Sequence, residues 1–132
     1  MEVSVRVHRI LRHLTAYVTL VSDVVLEGII PLQDETLLGV YQNDVSDLRM
    51  NVVVSDIGLR WWADGEVLFV KYADIEKSEV LGEKTTADSI RIQTRAGVDH
   101  ILRIEGGSGK LREVWEVKRF INRVVGDIHQ AV

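Results

Sequence analysis

The sequence contains no cysteine, and this absence excludes three kinds of protein. A disulfide-stabilised scaffold, a thiol enzyme and a cysteine-ligated zinc or iron–sulfur centre all require cysteine side chains. Proline is almost absent too, with one residue in 132, whereas apolar residues make up 46% and charged residues 27% of the chain. This composition is typical of an ordinary globular domain. A chain of this length buries roughly two thirds of its unfolded surface, so the fold needs no disulfide or metal cross-link.

Excess positive charge is also missing. Lys and Arg number 16 and Asp and Glu number 20, which gives a formal net charge of −4. Proteins that bind nucleic acid in general usually have a basic surplus, so we expect no nucleic-acid partner.

The sequence has no uninterrupted apolar run that is long enough for a membrane span or a signal peptide. The most apolar stretch, residues 14–32, is interrupted by Asp23 and Glu27. An acidic residue near the centre of a spanning helix costs about 2.5–3.5 kcal/mol. No small-residue cleavage site follows the stretch. The sequence therefore predicts a cytoplasmic protein.

Sequence motifs for catalysis or metal binding are missing as well. The glycine-rich run 106–110 ends in Gly-Lys, but Ile104 and Leu111 stand where a phosphate-binding loop requires Gly and Ser or Thr. No serine lies in a G-x-S-x-G pattern. No two histidines have the four-residue spacing of a helical zinc site. The four histidines are His8, His13, His100 and His129. We expect neither an enzyme nor a bound metal, cofactor or small-molecule ligand.

Short strands are predicted for most of the main body, which we place at residues 31–132. Turn signals recur at short intervals, and the runs 48–54, 57–61 and 89–94 alternate between apolar and polar residues. Alternation of this kind is typical of antiparallel strands with one buried face. Asp64-Gly65 is a strong two-residue hairpin signal. In the first run the buried face comprises Leu48, Met50, Val52 and Val54. The spacing predicts about seven strands in a barrel or sandwich.

A helical pattern follows from Lys110 to Val125. Apolar residues recur at positions 111, 114, 115, 121, 124 and 125, which form one stripe of a helix. Ser108 is the predicted N-cap and Gly126 the predicted stop. We expect Trp115 and Phe120 to bury the largest areas of this helix against the sheet.

The N-terminal segment, residues 1–30, has a different pattern. Its apolar residues follow one another at alternating steps of four and three, which predicts an amphipathic helix over residues 3–26. These residues are Val3, Val7, Ile10, Leu14, Tyr17, Val21 and Val24. A strand is the competing interpretation because Val, Thr and Tyr are frequent here. The length of the pattern favours the helix, since an average strand is much shorter.

Four stretches of the main body resemble, in order, bacterial pleckstrin-homology-like domains, and they are also similar to GRAM-type domains. The stretches are Leu37–Asn43, Val52–Trp61, Val70–Ile75 and the glycine-rich run leading to Phe120-Ile121. The resemblance covers residues 34–125. It implies a bent seven-stranded antiparallel barrel, capped by a C-terminal helix, that binds or scaffolds rather than catalyses. The N-terminal segment has no counterpart in the minimal domain.

The loop after the first of these stretches departs from the lipid-binding members of the family. Phosphoinositide-binding members carry several Lys and Arg residues in their first two strands and the loop between them. Here the loop reads Asn43-Asp44-Val45-Ser46-Asp47, and a single Arg49 follows it. Two carboxylates repel a phosphate head group, so we do not extend phosphoinositide binding to this chain.

Trp62 and the apolar face of the N-terminal helix would both be exposed to solvent unless another part of the chain or a partner buries them. In a strand, Trp61 and Trp62 point to opposite faces, so Trp62 lies outside if Trp61 joins the core. Either a partner or the same chain then covers Trp62. The apolar face of the N-terminal helix packs on its own domain, pairs with a second copy, or lies on a membrane. The predicted self-association or partner surface comprises Val7, Ile10, Leu14, Tyr17, Val21 and Trp62.

The sequence thus predicts a non-catalytic interaction or scaffold module that forms a homo-oligomer or docks a protein partner. The alternative is a peripheral membrane adaptor that binds anionic lipid through Arg6, Arg9 and Arg12 of the N-terminal helix.

Overall fold

A computed structural model describes residues 1–106 and 112–130 of the chain. Within these residues it contains two α-helices and eight strands. The helices are α1 (Val3–Arg9) and α2 (Arg112–Gln130). The strands are β1 (Tyr17–Thr19), β2 (Leu37–Tyr41), β3 (Val52–Ser55), β4 (Gly58–Ala63), β5 (Glu66–Lys71), β6 (Ile75–Leu81), β7 (Ser89–Thr94) and β8 (Asp99–Arg103). The mainly β character, the N-terminal helix and the C-terminal helix are confirmed.

The strands form two antiparallel sheets in which neighbours in sequence are neighbours in space. The first sheet has the order β1-β2-β3-β4-β5 and the second the order β6-β7-β8. The described chain has eight strands rather than seven: β2–β8 are seven strands in the main body, and β1 adds one in the segment that the sequence pattern had assigned to a helix. The predicted Asp64-Gly65 turn is confirmed, since both residues have positive φ angles, 52° and 81°, between β4 and β5.

The main core lies between the inner faces of the two sheets and α2. β7 spans Ser89–Thr94, as predicted, and Ile90 and Ile92 are fully buried. Leu59 and Trp61 of β4 also point into this core. On α2, Phe120 is fully buried and packs edge-to-face on Tyr72, with 6.0 Å between the ring centres. Such aromatic pairs stabilise a core beyond the area that they bury.

Two predictions about α2 are wrong. Trp115 is 39% exposed, because it lies on the flank of the helix, where its indole nitrogen donates a hydrogen bond to the Lys84 carbonyl. The helix also continues past Gly126 to Gln130, since Ile128 packs on the core beyond the glycine. The predicted N-cap Ser108 lies outside the described residues.

The predicted helix over residues 3–26 is wrong after its second turn. α1 ends at Arg9, a 3-10 turn follows at Leu11–His13, and Tyr17–Thr19 forms β1 against β2. A strand forms here instead of a helix because residues 15–21 are rich in β-branched and aromatic side chains, which fit a sheet better than a helix. The strand interpretation is therefore correct for residues 17–19.

The prediction of one half-buried strand over residues 48–54 is also wrong. Leu48–Met50 forms a 3-10 turn, in which the Asp47 carboxylate accepts a hydrogen bond from the Arg49 backbone N–H. β3 begins only at Val52, and all four of its residues are buried. Both faces of β3 are covered, so its sequence reads as a continuous apolar run.

A second, smaller core lies on the outer face of the five-stranded sheet. Here residues 20–36, which we call the covering segment, cross the sheet between β1 and β2. Ile29 packs on Val40 and Val53, and partly buried apolar side chains surround these three. The surrounding residues are Leu20, Leu26, Leu37, Leu48 and Trp62. The covering segment therefore gives the sheet a second buried face.

Among the described residues, no helix combines the length and the hydrophobicity that crossing a bilayer requires.

Candidate interaction surface

The covering segment has two apolar sides. Leu20, Leu26 and Ile29 point to the sheet, whereas other apolar side chains of the same stretch point to solvent. We define the outer apolar surface as Val21, Val25, Ile30 and Leu32 of the covering segment together with Val18 of β1. Val21, Val25 and Ile30 are 73%, 89% and 87% exposed. Single exposed apolar residues are common, but a group of them in one short stretch is typical of a site that binds another macromolecule.

Two residues with positive φ angles shape the covering segment. Asp23 turns the chain after β1 with a φ of 67°, and Gly28 has a φ of 82°. Gly28 also lies against Trp62, because a Cβ atom at this glycine would be 3.6 Å from the Trp62 Cζ2 atom. The segment thus half-buries Trp62, which corresponds to the expected alternative that the same chain covers this side chain.

A buried ion pair holds the C-terminal end of the covering segment on the sheet. The guanidinium of Arg60 donates two hydrogen bonds of 2.5 Å to the Glu35 carboxylate, and both side chains are buried. The Ser55 hydroxyl and the Leu32 backbone N–H also donate to this carboxylate. Arg60 stacks on Phe69, with 3.7 Å from its Cζ atom to the ring centre. Burial raises the pKa of Glu35, but the hydrogen bonds from Arg60 and Ser55 outweigh this effect and leave the pKa below its ordinary value.

A buried carboxylate anchors the chain just before β1. Glu113, in the first turn of α2, accepts hydrogen bonds from the Thr15 hydroxyl (2.8 Å), the Tyr41 hydroxyl (3.1 Å) and the Ala16 backbone N–H (3.4 Å). Burial and the adjacent Glu113 raise the pKa of Tyr41. These bonds connect α2, β2 and the start of β1, so they fix the position of β1 relative to the core.

Tyr17 docks β1 on the inner face of the sheet through a close approach to Gly39. A Cβ atom on Gly39 would lie 2.0 Å from the Tyr17 Oη atom and 2.2 Å from its Cζ atom. Gly39 therefore leaves the space that the tyrosine ring fills. The Tyr17 hydroxyl is buried without a hydrogen-bond partner among the described residues, and burial raises its pKa. The ring rather than the hydroxyl stabilises this contact.

The six residues of the predicted partner surface are not brought together on one exposed face. Val7, Ile10 and Tyr17 lie in the main core, where Leu14 packs against them partly buried. Only Val21 is exposed, and Trp62 is half-buried on the opposite face of the sheet. Most of this set is buried because the N-terminal segment packs on its own domain, which is one of the three arrangements that the sequence left open. The predicted set missed the other four members of the outer apolar surface, Val18, Val25, Ile30 and Leu32, although an apolar run interrupted by Asp23 and Glu27 is a signal for exposure.

The three arginines of the lipid alternative also differ from one another. Arg6 donates two hydrogen bonds, of 2.8 and 2.9 Å, to the Asp127 carboxylate of α2. This pairing holds the pKa of Asp127 below its ordinary value. Arg9 and Arg12 are exposed. Arg6 thus connects the two helices, and the other two arginines face solvent.

A cleft of about 360 Å³ opens between β4 and β8. Trp61, Met50 and Ile101 form part of its lining, and the Trp61 indole donates a hydrogen bond to the Ile101 carbonyl. Arg49 and Arg103 stand at its rim, where each contacts a carboxylate, of Asp47 and Glu105 respectively. The cleft is an apolar recess with balanced charges, and its lining has no histidine or serine in the part of the chain that the structure describes.

No group of three or more His, Asp or Glu side chains in residues 1–106 and 112–130 could hold a metal ion. The features that stand out are therefore the outer apolar surface and the two buried carboxylates that hold its ends. Comparisons of the chain with models of protein families, with curated proteins and with solved structures found no match.

Proposed function

We propose that this chain is a non-catalytic interaction module that self-associates or docks a protein partner through the outer apolar surface. The observation that carries this proposal is the exposure of Val21, Val25 and Ile30, each at least 73% accessible, within one segment. The inward side chains of the segment and the Glu35–Arg60 pair keep its backbone on the sheet. An apolar surface on a fixed backbone loses little conformational entropy when a partner covers it.

We also propose that β2 to α2 form a pleckstrin-homology-like domain, to which α1 and β1 are additions. The order of the elements supports this proposal. Four consecutive antiparallel strands, β2–β5, are followed by three more, β6–β8, and then by α2, which packs on β6 and on the turn at Tyr72–Asp74. Seven strands and a closing helix are what the resemblance implies. A binding role would then belong to the parts added to this domain.

Two aspartates on the outer apolar surface test the first proposal. We expect the unmodified chain to form a defined oligomer and the double variant Val21→Asp/Val25→Asp to have the mass of one chain, 14.9 kDa, by light scattering. The physical reason is that each carboxylate keeps its water shell and prevents apolar burial at the contact. Both side chains point to solvent, so the variant keeps its fold.

The matched control is Val45→Asp/Val98→Asp, which makes the same chemical change at two exposed valines outside the covering segment. This control should keep the mass of the unmodified chain. An oligomer that survives in the Val21/Val25 variant, or an unmodified chain that is monomeric at high concentration, would contradict self-association through this surface.

Attachment to an anionic membrane surface is a second candidate function, and a cationic face of α2 favours it. Lys118 and Arg123 border this face beside the exposed Trp115, a side chain that suits a membrane interface. Arg119 lies there as well but pairs with Glu116. Arg9 and Arg12 of the N-terminal segment are exposed as well, so two groups of cationic side chains are available for comparison.

Co-sedimentation with phosphatidylglycerol vesicles at low salt tests this candidate. It predicts binding that weakens with added salt and with Lys118→Glu/Arg123→Glu, because charge attraction to a surface is screened. Arg9→Glu/Arg12→Glu reports on the N-terminal site in the same way. If the same fraction of the protein sediments with phosphatidylglycerol vesicles as with phosphatidylcholine vesicles at low salt, the result would count against attachment to an anionic membrane.

A further inference from the structure

We infer that the outer edge of β1 pairs with β1 of a second copy of this chain, antiparallel and centred on Thr19. This inference rests on the proposed function and specifies how the two copies meet. Pairing of this kind joins the two five-stranded sheets into one continuous sheet with two-fold symmetry.

β1 is an outer strand of the five-stranded sheet. In the described chain it pairs only with β2. Gln42 N–H donates to the Ala16 carbonyl, and Leu20 N–H donates to the Leu38 carbonyl, so even-numbered residues direct their backbone groups to β2. In an antiparallel strand the next residues point the other way. The backbone groups of Tyr17, Thr19 and Val21 therefore face away from the sheet, and Val18 and Thr19 are exposed.

β1 differs from the other three outer strands in its charge. Residues 14–22 contain no charged residue and no proline. By contrast, β5 carries Glu66 and Lys71, β6 carries Glu76, Lys77 and Glu79, and β8 carries Asp99 and Arg103. Charges on an outer strand oppose pairing with another chain, and their absence leaves a template for it. A charge-free strand also meets its own copy without placing like charges opposite each other.

The free backbone groups of β1 select the register. Tyr17 N–H already donates to the Leu14 carbonyl. Four backbone groups near Thr19 point away from β2 and are available for pairing. They are the Thr19 N–H, the Thr19 carbonyl, the Tyr17 carbonyl and the Val21 N–H. A two-fold axis at Thr19 places each Thr19 opposite the other and each Val21 opposite Tyr17. In this register all of these groups are paired, by four hydrogen bonds, and only the Val21 carbonyl remains with solvent.

The side chains suit the same register. Val18 of one copy lies beside Leu20 of the other on the outer face, at the close spacing of a non-hydrogen-bonded pair. Val21 of one copy lies beside Tyr17 of the other, on the side of the strand opposite to Val18. The pairing therefore covers Val18 and Val21, two of the five members of the outer apolar surface. It requires no movement of Tyr17, which stays docked against Gly39.

A single introduced cysteine tests the register, since the chain has none of its own. Opposite residues of a hydrogen-bonded pair have Cα atoms about 5.5 Å apart, which a disulfide can span. We expect Thr19→Cys to form a covalent dimer on mild oxidation, several times faster than Thr86→Cys, an exposed control on the turn between β6 and β7. Equal rates for the two variants would overturn the register.

Thr19→Pro tests the hydrogen bonds. It removes only the outward N–H, and proline is tolerated on an outer strand when that N–H faces solvent. By symmetry two hydrogen bonds are lost, so we expect dimerisation to weaken about 30-fold, whereas Thr19→Val keeps it. The masses are measured by light scattering, and circular dichroism checks the fold.

The two proposals fail in different ways. In one outcome, Val21→Asp/Val25→Asp dissociates the oligomer, whereas Thr19→Pro leaves it intact and Thr19→Cys does not cross-link it. This outcome supports the proposed function and overturns the pairing of β1. A monomeric unmodified chain overturns both.

Discussion

Arg60→Met should lower the free energy of unfolding by about 3–5 kcal/mol, because it leaves the Glu35 carboxylate buried without its counter-charge. Phe69 stacks on the guanidinium, and the side chains of Arg60 and Glu35 are only 4% and 0% exposed. Water therefore cannot replace the lost guanidinium. The free energy is measured by urea denaturation at pH 7.

The double variant Arg60→Met/Glu35→Leu is the matched control. Replacing both members of a buried pair by apolar residues of similar size is often neutral or stabilising, so this variant should recover most of the loss. A loss below about 1 kcal/mol for Arg60→Met alone, which is typical of an exposed ion pair, would contradict the buried arrangement.

The same pair predicts the direction of the pH dependence. The pKa of Glu35 in the folded chain lies below its ordinary value of 4.5, so the folded state binds fewer protons at this site than the unfolded state. Its contribution is therefore present above pH 4.5 and is lost as the pH falls through the lower folded pKa. In Arg60→Met, burial still raises the pKa of Glu35, but the arginine no longer lowers it. The loss of stability that this carboxylate causes at low pH should therefore become smaller.

Gly39→Ala should destabilise the chain by about 3 kcal/mol, at the upper end of the range for overpacked cores. The new methyl group would overlap three atoms of the Tyr17 side chain, Oη, Cζ and Cε1, all within 2.7 Å of it. Because the ring is buried in the main core, it has no free space to move into. We expect Tyr17 to leave the core and β1 to detach from β2.

A double-mutant cycle with Tyr17→Ala separates this clash from any other effect of the alanine. If the clash causes the loss, Gly39→Ala should cost far less in the Tyr17→Ala background than in the unmodified chain. Thermal unfolding of the four proteins supplies the numbers. A loss below about 0.5 kcal/mol for Gly39→Ala in the unmodified chain, which is usual for a neutral surface change, would show that Tyr17 does not fill this space.

Sequence patterns predicted the parts of the fold in which local rules and burial agree. Residues 89–94 alternate strictly and form β7, and Asp64-Gly65 forms the hairpin because few other residue pairs adopt two positive φ angles. The stripe from Lys110 to Val125 predicted α2, although the helix continues to Gln130. In each case one short stretch contains the whole signal.

The pattern failed where a distant partner decides the structure. The steps of three and four between Val3 and Val24 also fit a short helix, a turn and a strand, and pairing with β2 selects the strand. Arg60 lies in β4 and is buried. Its burial depends on Glu35, which is 25 residues away and has no local signal. The outer apolar surface was missed for the same reason, since only the sheet shows which side of the covering segment remains exposed.

Amide hydrogen exchange of the unmodified chain at increasing protein concentration tests self-association through β1 most directly. The Thr19 and Val21 amides point away from β2, so in a monomer they exchange as exposed groups. We expect their exchange to slow as the concentration rises, while that of Ala96, on the turn between β7 and β8, stays constant. Exchange at Thr19 and Val21 that is fast and independent of concentration would contradict the account.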